Sequence, residues 1–169
     1  MIFKHKKKIF HIFIIFVLFF GLKSNAEENQ NTIEIKNPIF TTKSIDGSPY
    51  EIKAKKGLQR ENYLDLFVIK AKLKTNKNIW IFLIADQGTY DQSSGEISLK
   101  GNIEIHTESN KRIFADQAIV NTNSKIITLK KNVKYQDSNI FISADESTIN
   151  NELSNISYYG DVKSKIFKK

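Results

Sequence analysis

Three short acidic words recur along the chain: Ala85-Asp86-Gln87, Ala115-Asp116-Gln117 and Ala144-Asp145-Glu146, spaced by 30 and then 29 residues. Carboxylates repeated at one interval raise two kinds of chemistry, cation binding and acid–base work on a glycosidic bond. If each repeat adds two strands at roughly 4.8 Å, the aspartates stand in a column about 10 Å apart. That is too wide for one ion, whose oxygen ligands lie within about 2.6 Å of it. It approaches the separation of an inverting glycosidase pair, but alternation turns these carboxylates outward, where the sequence indicates no cleft. Other chemistries lack their residues. His106 is the only histidine after Ala26 and the chain has no cysteine. No serine sits in a nucleophile-elbow context, and no glycine-rich loop could cradle a phosphate. The sequence therefore predicts no enzyme, no catalytic residue, no metal site and no cofactor. Asp86, Asp116 and Asp145 read as solvated or turn-capping groups that mark where an inward strand runs out before a turn.

The elements that hold these words begin after an unusual N-terminus. The chain carries 26 basic and 18 acidic residues, a net charge of +8 that would ordinarily point to nucleic acid or an anionic surface. Five of the lysines lie in the first 26 residues without an acid, so the rest holds 21 basic against 18 acidic residues and nucleic acid is not a predicted partner. Those 26 residues comprise a basic segment KHKKK, a 14-residue apolar run from Ile9 to Leu22, and the small residues Ser24-Asn25-Ala26. They read as a signal peptide cleaved at Ala26 or as a membrane anchor formed by residues 9–22, since a spanning helix usually needs about 20 residues. Both outcomes keep the lysines inside and place the remainder outside the cytoplasm.

Residues 27–36 are polar and suit a linker or a frayed lead-in strand; residues 37–167 make one domain, held without disulfides by an ordinary core. From Asn37 onward nearly every segment alternates apolar and polar residues with period two. The predicted strands are 39–44, 50–54, 64–73, 79–90, 96–107, 112–121, 125–136, 139–150 and 154–167, joined by turn words such as DQSSG and TNSK.

In register, the repeat extends well beyond the acidic words. Six residues after each alanine stands Asp91, Asn121 or Asn150, and twelve after stands Ile97, Ile127 or Ile156. Sixteen after stands Gly101, Lys131 or Gly160, and eighteen after stands Ile103, Val133 or Val162. A degraded copy begins at Ala54. Parity turns Ile97, Leu99, Ile103 and Ile105 to one side, with Ile127, Leu129, Val133 and Tyr135 repeating the arrangement. Ile81, Leu83, Ile140, Ile142, Ile156 and Tyr158 extend the same lining. Gly101 and Gly160 interrupt glycine-poor strands and predict bulges, a requirement Lys131 shows is not absolute. The predicted fold class is all-β: an antiparallel hairpin-repeat β-jelly roll or open folded-over sandwich, preceded by an N-terminal apolar helix. Such a stack leaves two end strands whose backbone needs protection or a partner.

The stretch NPIFTTKSIDGSPYEIKAKKG, followed by LIADQGTYDQSSGEISLKGNIEI, resembles the LptC-like lipopolysaccharide-export family of the OstA-like β-jelly-roll group. The resemblance runs over about residues 37 to 166 and rests on the N-P-I-F entry, the Asp46–Tyr50 turn and the block from Ala85 to Ile103. It implies a periplasmic bridge segment that passes lipopolysaccharide from an inner-membrane ABC transporter toward the outer membrane, in an anchored LptC-like or a soluble LptA-like version. On this reading Ile81, Leu83, Ile97, Leu99, Ile103, Ile105, Ile127, Leu129, Val133, Ile140, Ile142, Ile156 and Tyr158 line a lipid trough. Core packing is the plain alternative, because any β-sandwich must bury such a face, and it would make the chain a surface or scaffold β-repeat protein without lipid binding. The N-terminal strand with Ile39, Phe40 and Thr41 would face the transporter. The C-terminal strand with Tyr158, Gly160 and Val162 would face the next bridge protein. Lys100, Lys111, Arg112, Lys130, Lys131 and Lys134 are available to phosphates, although strand lysines mostly serve as a solvated face.

Overall fold

The period-two alternation becomes a single continuous sheet in the computed structural model, which describes residues 32–43, 49–75, 78–124, 126–150, 153 and 155–167. The apolar run Ile9–Leu22, Ala26 and residues 44–48 lie outside the described residues. Eleven strands follow one another among those described: β1 (Ile33–Lys36), β2 (Ile39–Lys43), β3 (Pro49–Arg60), β4 (Tyr63–Lys74), β5 (Trp80–Asp91), β6 (Glu96–Thr107), β7 (Arg112–Asn121), β8 (Ile126–Gln136), β9 (Ile140–Asn150), β10 (Asn155–Tyr159) and β11 (Lys163–Ile166). The order is β1-β3-β4-β5-β6-β7-β8-β9-β10, with β2 beside β3 and β11 beside β9, and every pairing is antiparallel. The fold is thus an all-β, open antiparallel sheet. No helix among the described residues is long and apolar enough to cross a membrane.

Three differences from the expected strands have local causes. β3 continues through Lys55–Arg60, where Gly57 occupies a buried, inward position beside Leu66 and Pro38 and its missing side chain hides the alternation. β1 forms within the segment read as linker or lead-in strand, pairing Ile33 with Gln59 and Lys36 with Lys56. The C-terminal strand is broken into β10 and β11 around Gly160-Asp161.

That break belongs to a line of kinks crossing the sheet. The pairings of β5 to β9 shift register between Lys100 and Ile103 on β6 and between Lys130 and Val133 on β8, each of which carries one extra residue. β9 sees the same offset between Tyr159 on β10 and Lys163 on β11. The residues at the kinks are left-handed: Gly101 at φ 79° with Asn102 at 43°, Lys131 at 64° with Asn132 at 53°, and Gly160 at 86°. Glycine and asparagine tolerate this conformation best. On the N-terminal side the line continues through Val68 at φ 55° and Asn37 at 49°. A bulged strand bends, and a line of bends folds the sheet. Tyr135 and Tyr158 measure the result. On flat β9 their partners Ile142 and Ser147 would lie about 17 Å apart. Their rings instead meet edge to face at 6.5 Å.

The repeated aspartates explain the kinks. Asp86 accepts a hydrogen bond from Asn102 Nδ2 at 2.8 Å, Asp116 accepts one from Asn132 Nδ2 at 2.6 Å, and Asp145 accepts one from the Asp161 backbone N–H at 3.0 Å. The words therefore lie in mid-strand and cap the neighbouring bulge. This corrects the expectation that they end strands before a turn. The turns carry the second repeated residue instead: Asp91 Oδ1 receives the Ser93 N–H at 2.8 Å, and Asn121 Oδ1 receives the Ser124 N–H at 2.8 Å.

Candidate functional site

Bending the sheet brings the two halves of its inner face together around one apolar cluster. At its centre Leu129, Ile103, Val133 and Ile149 are no more than 1% exposed, which a flat single layer could not achieve. Leu99 and Ile105 are buried with them, while Ile81, Leu83, Ile97, Ile127, Ile140, Ile142, Ile156 and Tyr158 are partly buried and pack against this centre. All thirteen predicted lining residues thus share one cluster.

The cluster also contains Leu66, Ile69, Ile113, Ala118 and Ile149, which the predicted lining omits. Parity carried through the acidic words misses Ala118 and Ile149, because inward spacing there lengthens from two residues to three: Ala85 to Gly88, Ala115 to Ala118, Ala144 to Ser147. Leu66 and Ile69 show the same three-residue step on β4, and Ile113 simply keeps the parity of Ala115. The signal that could have found Ala118 and Ile149 is the apolar run on the far side of each word. Gly88 marks how tight the centre is, since a Cβ there would lie 2.8 Å from both Ile69 Cδ1 and Leu99 Cδ2. Ser147 is 0% exposed and its Oγ finds no hydrogen-bond partner among the described residues.

The interior closes on the C-terminal side. Leu153 and Ile156 lie against Ile105, Ile113 and Tyr135, leaving a cavity of about 30 Å³ that Lys111 also lines. Burial raises the Tyr158 hydroxyl well above the ordinary tyrosine range. Burial also raises that of Tyr135, to about 12, aided by its 2.9 Å hydrogen bond to Asp137. The backbone N–H of Asn139 and the Tyr135 hydroxyl hold the Asp137 carboxyl below its usual range.

Both edges are unpaired among the described residues, and both expose apolar side chains. Ile39 is 61% exposed on β2, beside exposed Thr41, while Phe40 turns inward. At the other edge Val162 is 47% and Ile166 73% exposed; Gly160 is exposed and Tyr158 faces the cluster. An exposed apolar edge is a template for another strand. Of the basic residues, Lys100, Lys131 and Lys134 are exposed, Lys130 lies 3.6 Å from Glu146, and Arg112 lies 3.6 Å from Glu104. They are not gathered at one rim. Among the described residues no group of His, Cys, Asp and Glu could hold a metal ion.

Two comparisons bear on this arrangement. The family described as "LptC: Lipopolysaccharide-assembly, LptC-related" matches residues 65–166, from within β4 to the end of β11. No curated protein matches the chain.

Proposed function

The chain belongs to the LptC family, and from that premise we propose that it is a periplasmic bridge component carrying lipopolysaccharide from an inner-membrane ABC transporter toward the outer membrane. The family is one of lipopolysaccharide transport and assembly rather than of enzymes. On the proposed reading the curled sheet is a jelly roll, and its cluster receives the acyl chains.

The observation that carries this reading is the combination of one continuous apolar inner face with two unpaired, apolar-bearing edges. Lipid carriage needs such a face more than it needs polar groups, because each CH₂ removed from water gains about 0.8 kcal/mol. A cavity of about 30 Å³ is too small for an acyl chain, so lipid enters by parting the C-terminal side. There Tyr158 must leave Tyr135, and Ile156 must leave Ile105 and Ile113. A handful of buried methylenes offsets that lost packing. The edges then serve continuity. β2 meets the transporter side and β10–β11 meet the next bridge protein, each by adding a strand to the open sheet.

The edges can be tested directly. A photo-crosslinker at Val162 should capture one bridge partner and one at Ile39 a transporter subunit, while one at Ser98 on the outer face of β6 captures neither. Capture at Ser98 equal to that at the edges would remove the edge-pairing reading.

A further inference from the structure

The outer face of the sheet is two different surfaces divided by the line of kinks. On the turn side of that line the outward row runs Asp65, Thr89, Ser98, Ile119, Thr128, Thr148 and Ser157, an ordinary solvated β-surface with one aliphatic residue. On the other side Trp80, Phe82, Ile84, Phe114 and Phe141 all face away from the core, because their neighbours Ile81, Leu83, Ile113, Ala115, Ile140 and Ile142 face into it. Ile84 is 37% exposed and the four rings are partly exposed.

Basic residues stand between these apolar ones in the same rows. Lys72 pairs with Phe82, Lys70 with Ile84, and Lys74 with Trp80 along β4 and β5. Farther across, Arg112 pairs with Gln136, whose other neighbour is Phe141, and Lys134 pairs with Phe114. Lys72 and Lys74 place their ammonium groups 5.7 and 5.5 Å from the Trp80 ring centre, one indole shared by two cations. His106 stacks on Phe82 at 5.0 Å. The acids facing it are Glu51, tied to Lys53 at 3.0 Å and Lys72 at 3.3 Å, and Glu104, beside His106 and Arg112, while Asp86, Asp116 and Asp145 stand exposed along the kink line at its border. A depression of about 220 Å³ lined by Asn110, Arg112, Phe114, Gln136 and Asp137 opens on the same side.

We propose that this outer face is a docking surface for an anionic phospholipid bilayer. The chemistry fits a surface rather than a single molecule. From β4 to β9 the apolar and basic side chains are spread over about 24 Å, six strands at roughly 4.8 Å spacing with Glu104 and His106 of β6 between them, instead of converging on one pocket. Tryptophan and phenylalanine rings insert at the level of the headgroups, while the lysine stems lie along them and keep their charges among the phosphates. Basic excess supplies the charge complement. Docked this way, the polar half of the outer face stays in water.

Trp80 is the only tryptophan in the chain, so it reports on its own surface. The full chain is mixed with neutral phosphatidylcholine vesicles, with vesicles containing phosphatidylglycerol, and with lipopolysaccharide micelles. Its emission is read together with quenching by brominated acyl chains. The expected result is a blue shift and quenching only with the phosphatidylglycerol vesicles, reversed by salt. Replacing Lys70→Gln and Lys134→Gln together, both exposed and neither in the core, should weaken partitioning roughly 30-fold, from about 1 kcal/mol per charge removed at such a surface. Replacing Lys100→Gln and Lys130→Gln on the polar half should leave it within about twofold. Equal Trp80 signals in neutral and anionic vesicles, a response to lipopolysaccharide micelles alone, or equal loss from both lysine pairs would overturn the proposal.

Discussion

The repeat supplies its own controlled experiment, because the left-handed kink residue is glycine at 101 and lysine at the equivalent position 131. Gly101→Ala places a Cβ on a residue at φ 79° and brings it 2.5 Å from Asp86 Oδ2 and 3.1 Å from Asp86 Cβ. The left-handed conformation costs an L-residue about 1–2 kcal/mol. The stiffer unfolded chain returns about 0.5 kcal/mol. Asp86 must also swing away from Asn102, and an exposed hydrogen bond of that kind is worth about 1 kcal/mol. The sum is about 1.5–2.5 kcal/mol of destabilisation. The reciprocal change Lys131→Gly relieves the same strain while loosening the unfolded chain, so it should be neutral or stabilising by up to about 1 kcal/mol. Urea unfolding followed by circular dichroism reads both. With a slope near 2 kcal/mol/M, Gly101→Ala should lower the midpoint by about 1 M. In an Asp86→Ala background the clash with the carboxylate is gone, and Gly101→Ala should cost only about 1 kcal/mol, a coupling that a double-mutant cycle isolates. If Gly101→Ala left the midpoint unchanged, or Lys131→Gly cost more than about 1 kcal/mol, the assignment of the aspartates as bulge caps would fail.

Three further outcomes follow from the interior and its rim. Leu129→Ala, at a fully buried site hemmed in by Ala118 and Ser147 on the adjacent strands, should destabilise by about 3–5 kcal/mol in the same urea assay. Ser147→Ala removes a buried hydroxyl that has no partner among the described residues, and should be neutral or stabilising by about 1 kcal/mol in thermal unfolding. The Tyr135–Asp137 pair should show at both ends of the pH scale. The Tyr135 hydroxyl is raised, so its contribution is complete below about pH 10 and is lost as pH rises toward about 12. The Asp137 carboxyl is lowered, so its contribution is present above about pH 4 and is lost as pH falls through its folded value. Unfolding midpoints across pH should therefore flatten at the alkaline end in Tyr135→Phe and at the acid end in Asp137→Asn.

Alternation alone carried the strand positions and the inner lining from β5 onward, since Ile97, Leu99, Ile103 and Ile105 obey one parity that the burial reproduces. It faltered where inward spacing changes. The three-residue step from Ala144 to Ser147 moves Ile149 inward, although unbroken parity from Ile142 would put Thr148 there. Gly57 concealed the second half of β3 for a related reason, an inward position filled by hydrogen. Gly101 and Gly160 were legible as bulges, but the partners of those bulges were not. Asp86 and Asn102 lie 16 residues apart, and only the hairpin brings them together. The thirteen lining residues were readable as one face; the closure of that face by Leu153, Ile156 and Tyr158 depends on the fold of the whole sheet, which no local pattern encodes. The aromatic outer half was visible letter by letter in WIFLI and RIFA. Its asymmetry emerges only when the strands are set side by side.

Lipid in the interior is the claim on which the proposed function rests, and a crosslinker placed in the lining tests it most directly. With a photo-reactive side chain at Leu83 or Tyr158, both partly buried against the cluster, irradiation of cells exporting lipopolysaccharide should attach lipopolysaccharide to the protein. The same group at Thr128 on the solvated outer face should attach none. Lipopolysaccharide captured at Thr128 and never at Leu83 or Tyr158 would contradict the account.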